Sequence, residues 1–126
     1  MNSFVEEHLL RLKTYFPSAN AMPRPDGSAK ISIQGFRLPP GWNSDETNVV
    51  FIAPVGYPMA RPDCFWTSKE LALASGAPPA NSAINNNYGE PDPMRWFSFH
   101  ASKWDPNRDD ILTFTMLVRR RLSDAR

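Results

Sequence analysis

Residues 51 to 66 read FIAPVGYPMARPDCFW, and this stretch decides how the chain around it folds. The apolar run from Val49 to Val55 predicts a short buried strand, because unbroken apolar residues suit a strand that is covered on both faces. The Gly-Tyr-Pro step and the prolines that follow predict a rigid turn. The aromatic and β-branched residues from Cys64 to Thr67 predict the next strand. The stretch therefore indicates two strands of an antiparallel sheet, joined by a proline-rich turn.

The chain before this stretch begins with a helix. Ser3 followed by Glu6 has the spacing of a capping box, which predicts a helix from about Phe4 to Tyr15. Pro17 ends it, because proline cannot continue a helix. The apolar stripe of this helix, with its predicted core residues, consists of Val5, Leu9, Leu12 and Phe16.

A strand follows the helix after a turn-rich connection. Residues 17 to 27, PSANAMPRPDG, are polar and rich in proline, and they predict turns. In KISIQGFRL, residues 30 to 38, apolar and polar residues alternate, with Ile31, Ile33 and Gly35 on one face. This period of two predicts a half-buried strand.

The chain after Thr67 divides into a long irregular segment and a clear helix. The segment from Ser68 to Pro93 has no strong period, and a loop of that length in a compact domain is usually functional. Asp109 and Asp110 can cap a helix from about Ile111 to Leu122. A run of strands between two helices indicates the α+β class, with both helices on one face of the sheet.

Composition narrows the class of function. The chain has 126 residues, the size of one domain, and 14 basic against 13 acidic residues, which gives no general surface for nucleic acid. The arginines at positions 119 to 121 are interpreted as a solvated helix end. The lone Cys64 cannot form an internal disulfide, which suits a reducing cytoplasm. The first residues have no basic segment and no long apolar run, so neither a signal peptide nor a membrane anchor is predicted.

The segment RWFSFHASKWDP, residues 95 to 106, holds the candidate chemistry. If it is extended, Phe97 and Phe99 share a core face while Ser98 and His100 point the other way. A histidine can serve as the base that makes a serine nucleophilic, but two residues along a strand leave roughly 6.5 to 7 Å between them. Serine two residues from histidine is also common by chance. The residues alone therefore leave both a catalytic and a structural role open.

The other candidate residues have simpler interpretations. Cys64 is interpreted as a small buried hydrophobic residue, and His8 as a solvated residue in the middle of the first helix. Asp63 adjoins a proline, and a turn explains it. No histidine and cysteine cluster has the spacing of a zinc site, and no glycine-rich loop has phosphate-binding spacing. No metal and no cofactor are therefore predicted.

Several segments together resemble one known superfamily. FIAPVGYPMARPDCFW and the later KWDP step before a helix resemble the ubiquitin-conjugating enzymes, the UBC-like or E-two superfamily. More narrowly, GFRLPPGWN, GYPMARPDCFW and WFSFHASKWDP resemble the bacterial group called prokaryotic E-two family E. The resemblance covers about Phe4 to Leu122. It implies one UBC-like α+β domain over residues 1–126, with an N-terminal helix, a short antiparallel meander, a long active-site segment and a C-terminal helix.

The chain departs from the superfamily at its reactive residue. Typical members carry a His-Pro-Asn turn and then a cysteine that accepts ubiquitin as a thioester, but this region reads SAINNNYGEPDPMRWFSFHASKW and has no cysteine. Cys64 precedes the long segment, which is the wrong place for the acceptor. The resemblance then implies that Ser98 accepts the acyl group as an oxyester, that His100 moves the protons, and that Asn86 or backbone donors stabilise the oxyanion.

The implied partners are a ubiquitin-like protein, an activating-enzyme-like adenylating protein and a target protein, and neither nucleic acid nor a membrane. Superfamily analogy docks the activating enzyme on the helix face that bears Glu7, His8 and Arg11. Two alternatives remain. The protein is a non-catalytic scaffold that binds and presents a ubiquitin-like protein, or it is an unrelated α+β ligand-binding domain.

Overall fold

A computed structural model describes residues 1–126 as two helices and one six-stranded sheet. The elements in chain order are α1 (Ser3–Tyr15), β1 (Asn20–Pro23), β2 (Ala29–Arg37), β3 (Glu46–Ala53), β4 (Phe65–Thr67), β5 (Ser82–Asn85), β6 (Met94–Phe97) and α2 (Ile111–Leu122). The order in the sheet is β1-β2-β3-β4-β6-β5, and every neighbouring pair is antiparallel. The predicted α+β class is confirmed. Neither helix has the length and apolar character needed to cross a membrane.

The two helices begin differently from each other. The Asn2 side chain accepts a hydrogen bond from the N–H of Phe4, so the cap of α1 is Asn2, and the predicted Ser3–Glu6 capping box is wrong. α2 has the predicted bounds. The Asp110 carboxylate accepts from the N–H groups of Leu112 and Thr113, while the Thr113 hydroxyl accepts from the N–H of Asp110. This reciprocal cap satisfies donors that would otherwise have no partner at the helix start.

The sheet has two strands that the sequence did not predict. β1 lies in the stretch predicted as turns, and β5 lies in the segment predicted as a long irregular loop. The alternation of β2 also breaks, because the register with β3 shifts between Ile33 and Phe36. Gly35 has a φ of 67° and is exposed, whereas Phe36 is buried, so the placement of Gly35 on the apolar face is wrong. A glycine at such an irregularity is typical of a bulge.

The two faces of the sheet carry two separate apolar clusters. Both helices contribute to the larger cluster of 21 buried residues, so both cover the same face. Phe65 and Phe97 lie directly opposite each other on this face and stack with centroids 4.8 Å apart. The opposite face carries a small cluster of Val50, Trp66 and Tyr88. Both helices therefore pack on the face of β4 and β6 that carries Phe65 and Phe97.

Tyr57, in the turn between β3 and β4, connects the two helices. Its hydroxyl accepts a hydrogen bond from the N–H of Ile111, and it lies 2.7 Å from Nδ1 of His8. Burial raises the pKa of the Tyr57 phenol, so the hydroxyl stays protonated. Because this hydroxyl already accepts from Ile111, we assign its own proton to the bond with Nδ1 of His8. The interpretation of His8 as a solvated residue is wrong, because the ring is half-buried and bonded to this hydroxyl.

We expect Tyr57→Phe to lower the free energy of unfolding by about 1–3 kcal/mol, because the substitution leaves the buried N–H of Ile111 without an acceptor. Urea denaturation followed by circular dichroism measures the change. Tyr15→Phe is the matched control, since Tyr15 is 66% exposed and its hydroxyl makes no hydrogen bond within the chain. Equal stability of the two variants would contradict the role of the Tyr57 hydroxyl.

Candidate functional site

The chain that follows β6 is held between two neighbouring segments. The N–H of Ser98 donates to the carbonyl of Asn81 at 2.9 Å, and the N–H of Cys64 donates to the carbonyl of Phe99 at 2.8 Å. Phe99 packs inward against Phe65, while Ser98 and His100 are exposed. The split into two faces that the alternation predicts is therefore present at residues 97 to 100. Backbone pairing on both sides fixes where the serine and the histidine emerge.

His100 is oriented by Asp63. The ring Nδ1 is hydrogen-bonded to the Asp63 carboxylate, and the two side chains are 63% and 59% exposed. In the neutral ring this bond places the proton on Nδ1 and leaves Nε2 as an acceptor. The arrangement suits a general base whose orientation is set by a carboxylate. Asp63 was predicted from the sequence to be only a turn residue, but it also holds the His100 ring through this hydrogen bond.

Ser98 and His100 line the same groove, which has a volume of about 640 Å³. The last turn of α2 also lines this groove, with Arg120 and Arg121, and so does Lys103. Lys103 and Arg120 are exposed and form no salt bridge in the structure. The groove therefore combines a serine and a histidine with unpaired positive charge.

Arg121 belongs to the floor of the groove. Its guanidinium lies 5.2 Å from the centroid of the Phe97 ring and donates to the carbonyls of Ala80, Asp124 and Arg126. Burial lowers the pKa of the Arg121 guanidinium, but an arginine remains charged at neutral pH. The interpretation of residues 119 to 121 as a solvated helix end is right for the exposed Arg119 and Arg120 and wrong for Arg121.

Asn86 does not reach Ser98. In the β5–β6 pair Ser82 lies opposite Phe97 and Asn85 lies opposite Met94, so Asn86 follows the far end of the hairpin. Five residues of extended chain separate the two positions by roughly 15 Å. The Asn86 amide donates instead to the carbonyl of Pro91 at 3.4 Å. The asparagine that does line the groove is Asn81, which no pattern in the sequence singled out.

The sequence of this chain matches a known protein family. The family model described as Prokaryotic E2 family E matches residues 19–125. The chain belongs to Prokaryotic E2 family E. The α+β arrangement is that of the UBC-like fold, and membership of the family makes this a bacterial E2-like protein. A general interaction with a ubiquitin-like protein and an activating enzyme follows from the family. No curated protein and no solved structure matched the chain.

Cys64 lies beside Asp63 and His100. Its interpretation as a small buried hydrophobic residue did not predict this proximity. It is 9% exposed, as expected, but its φ of 61° places it in the left-handed region. Potential metal-ligand atoms of Asp63, Cys64 and His100 all lie within 4.8 Å of one another. No spacing in the sequence could reveal this cluster, because the pairing of β4 with β6 brings His100 to the other two residues.

The two histidines should adopt opposite neutral tautomers. We expect His100 to carry its proton on Nδ1, where it donates to Asp63, and His8 to carry it on Nε2, because its Nδ1 accepts from Tyr57. Long-range ¹H–¹⁵N correlation spectra at alkaline pH distinguish the two forms. Asp63→Asn should leave the His8 pattern unchanged and shift the His100 nitrogens. The same tautomer at both rings would contradict the assigned hydrogen bonds.

Proposed function

We propose that this protein receives a ubiquitin-like modifier from an activating enzyme and passes it to a target amine, with Ser98 as the acyl acceptor. The observation that carries the proposal is the shared groove of Ser98 and His100, with His100 hydrogen-bonded to Asp63. Membership of Prokaryotic E2 family E supports the class of reaction. No cysteine lies between Phe65 and Arg126, so Ser98 is the proposed acceptor in the active-site segment.

The first step is transfer from a thioester to a hydroxyl. Nε2 of His100 takes the proton of the Ser98 hydroxyl, directly or through a water molecule, as the oxygen attacks the thioester carbonyl of the modifier. A C–O bond forms and the C–S bond breaks. The proton on His100 then passes to the departing thiolate of the activating enzyme. Asp63 is a positioning residue, since it holds the ring with Nε2 free.

The second step transfers the acyl group to the target amine and regenerates the free Ser98 hydroxyl. The target amine attacks the ester carbonyl, a C–N bond forms and the C–O bond breaks. His100 accepts a proton from the amine and gives one to the Ser98 oxygen. An oxyester is less reactive toward amines than a thioester, so the step depends on positioning and on stabilisation of the oxyanion. Asn81, which lines the groove, is the proposed amide donor in place of Asn86.

Positive charge in the groove suits the proposed substrate. The acyl group enters as the C-terminal segment of a protein, so the groove must hold an extended peptide with several carbonyl oxygens. Lys103 and Arg120 line the same groove as Ser98, form no salt bridge, and can donate to the carbonyl oxygens of such a chain. Arg121 is already engaged with backbone carbonyls, and it shapes the floor instead.

A non-catalytic scaffold is the second candidate function. One observation favours it: the Ser98 hydroxyl makes no hydrogen bond to His100, whose Nδ1 is bonded to Asp63. Catalytic hydrogen bonds often tighten only when substrate is bound, so this geometry is compatible with both candidates. A scaffold would bind the ubiquitin-like protein in the same groove without forming a covalent bond.

Intact mass spectrometry after incubation with the cognate activating enzyme, modifier and ATP tests the proposal. We expect an adduct on the wild type that hydroxylamine cleaves, and no adduct on Ser98→Ala. Ser102→Ala is the matched control, because Ser102 is an exposed serine of the same groove. His100→Gln should slow adduct formation by about 10²–10⁴-fold, the usual contribution of a general base.

The other outcomes separate the alternatives. An adduct that survives Ser98→Ala and disappears in Cys64→Ala would identify the thiol as the acceptor. Binding of the modifier with no adduct in any variant would identify the scaffold. If the protein binds neither the modifier nor the activating enzyme, it does not take part in conjugation.

A further inference from the structure

Three side chains with three different donor atoms meet at the edge of the groove. Asp63 and Cys64 are consecutive, and His100 reaches them from the chain that follows β6. One potential ligand atom from each lies within 4.8 Å of the other two. A carboxylate, a thiolate and an imidazole are together the donor set typical of zinc and related transition metals, whereas magnesium and calcium prefer oxygen alone.

The backbone explains how two consecutive residues can serve one ion. Side chains that follow one another in a strand point to opposite faces, so Asp63 and Cys64 could not both face His100 in a regular strand. The left-handed φ of 61° at Cys64 breaks this alternation. The hydrogen bond from the Cys64 N–H to the carbonyl of Phe99 then fixes the thiol beside the next residue, His100.

The spacing fits an ion after a small adjustment. Zinc bonds of about 2.0 Å to nitrogen or oxygen and about 2.3 Å to sulfur place tetrahedral ligand atoms roughly 3.3 to 3.6 Å apart. Asp63 and His100 are in direct hydrogen-bond contact, closer than two ligands of one ion, so their side chains must move apart to admit an ion beside the Cys64 sulfur. His100 and Asp63 can do so, because their side chains are 63% and 59% exposed. Cys64 is the fixed member of the cluster.

We propose that Asp63, Cys64 and His100 form a three-ligand site for a divalent transition metal of the zinc class, with a fourth position open to the groove. Because the Cys64 thiol is buried, a metal ion reaches it more easily than a larger reactant does. Cys64 is only 9% exposed, so a thioester carried by another protein cannot readily reach its sulfur, but a metal ion can. Metal binding can be tested without the acyl transfer proposed above, but the two uses of these residues exclude each other, because an ion bound by Asp63 and His100 replaces the hydrogen bond that orients His100 as a base. Because the thiol must lose its proton to bind, affinity rises with pH.

Cobalt(II) is the probe, because a cobalt–thiolate bond produces charge-transfer absorption in the near ultraviolet. The protein alone, without activating enzyme or modifier, is titrated with Co²⁺, and Zn²⁺ is then added to displace it. We expect the band in the wild type and its complete loss in Cys64→Ser. His100→Gln and Asp63→Asn should each weaken binding by at least roughly 10–100-fold, the loss typical of disturbing a metal's ligand environment.

Matched controls keep the test specific. His8→Gln changes the only other histidine, and Asp124→Asn changes another exposed carboxylate of the groove. Both should bind Co²⁺ like the wild type. Circular dichroism establishes that each variant is folded. No thiolate band in a large excess of Co²⁺, or a band of equal affinity in His100→Gln and Asp63→Asn, overturns the proposal, since the second result means that the cysteine binds the metal alone.

Discussion

The three-residue strand β4 is the constraint on which the rest of this structure depends. It is the only connection within the sheet between β3 and the β5–β6 hairpin, and its pairing places Phe65 opposite Phe97. An aromatic pair of this kind contributes about 0.5–1.5 kcal/mol beyond the area that it buries. The same register carries Asp63 and Cys64 to the chain that follows Phe97. One short strand therefore positions both the core and the site.

The parts of the fold predicted from the sequence are those with a distinct apolar pattern, which is periodic in the helices and β2 and a short continuous run in β3 and β4. Both helices, β2, β3 and β4 have such a pattern, and each was expected close to where it lies. β1 and β5 are edge strands whose residues are largely exposed, so their sequences resemble turns and only pairing with a neighbour makes them strands. The cap of α1 was displaced by one residue because asparagine and serine are both good caps and stand side by side.

The site was predictable only in part, for a similar reason. Alternation along residues 96 to 100 gave the correct faces, because it is a local property. The partners of His100 and His8 lie far away in the chain, and no local rule selects Asp63 or Tyr57 among the acids and tyrosines available. Asn86 was chosen by analogy with the amide of a His-Pro-Asn turn that this chain lacks, and the hairpin register sets it at the opposite end from Ser98. Family membership points to the conjugating transferases in general, and the contact between His100 and Asp63 became visible only in the folded chain.

The left-handed backbone at Cys64 has a consequence for stability. Glycine adopts this conformation freely, while other residues are disfavoured there by roughly 1–2 kcal/mol. The sulfur at position 64 is therefore held at a cost to the free energy of unfolding. Glycine at this position would remove that cost and keep the backbone of this edge, but the thiol beside His100 would be lost.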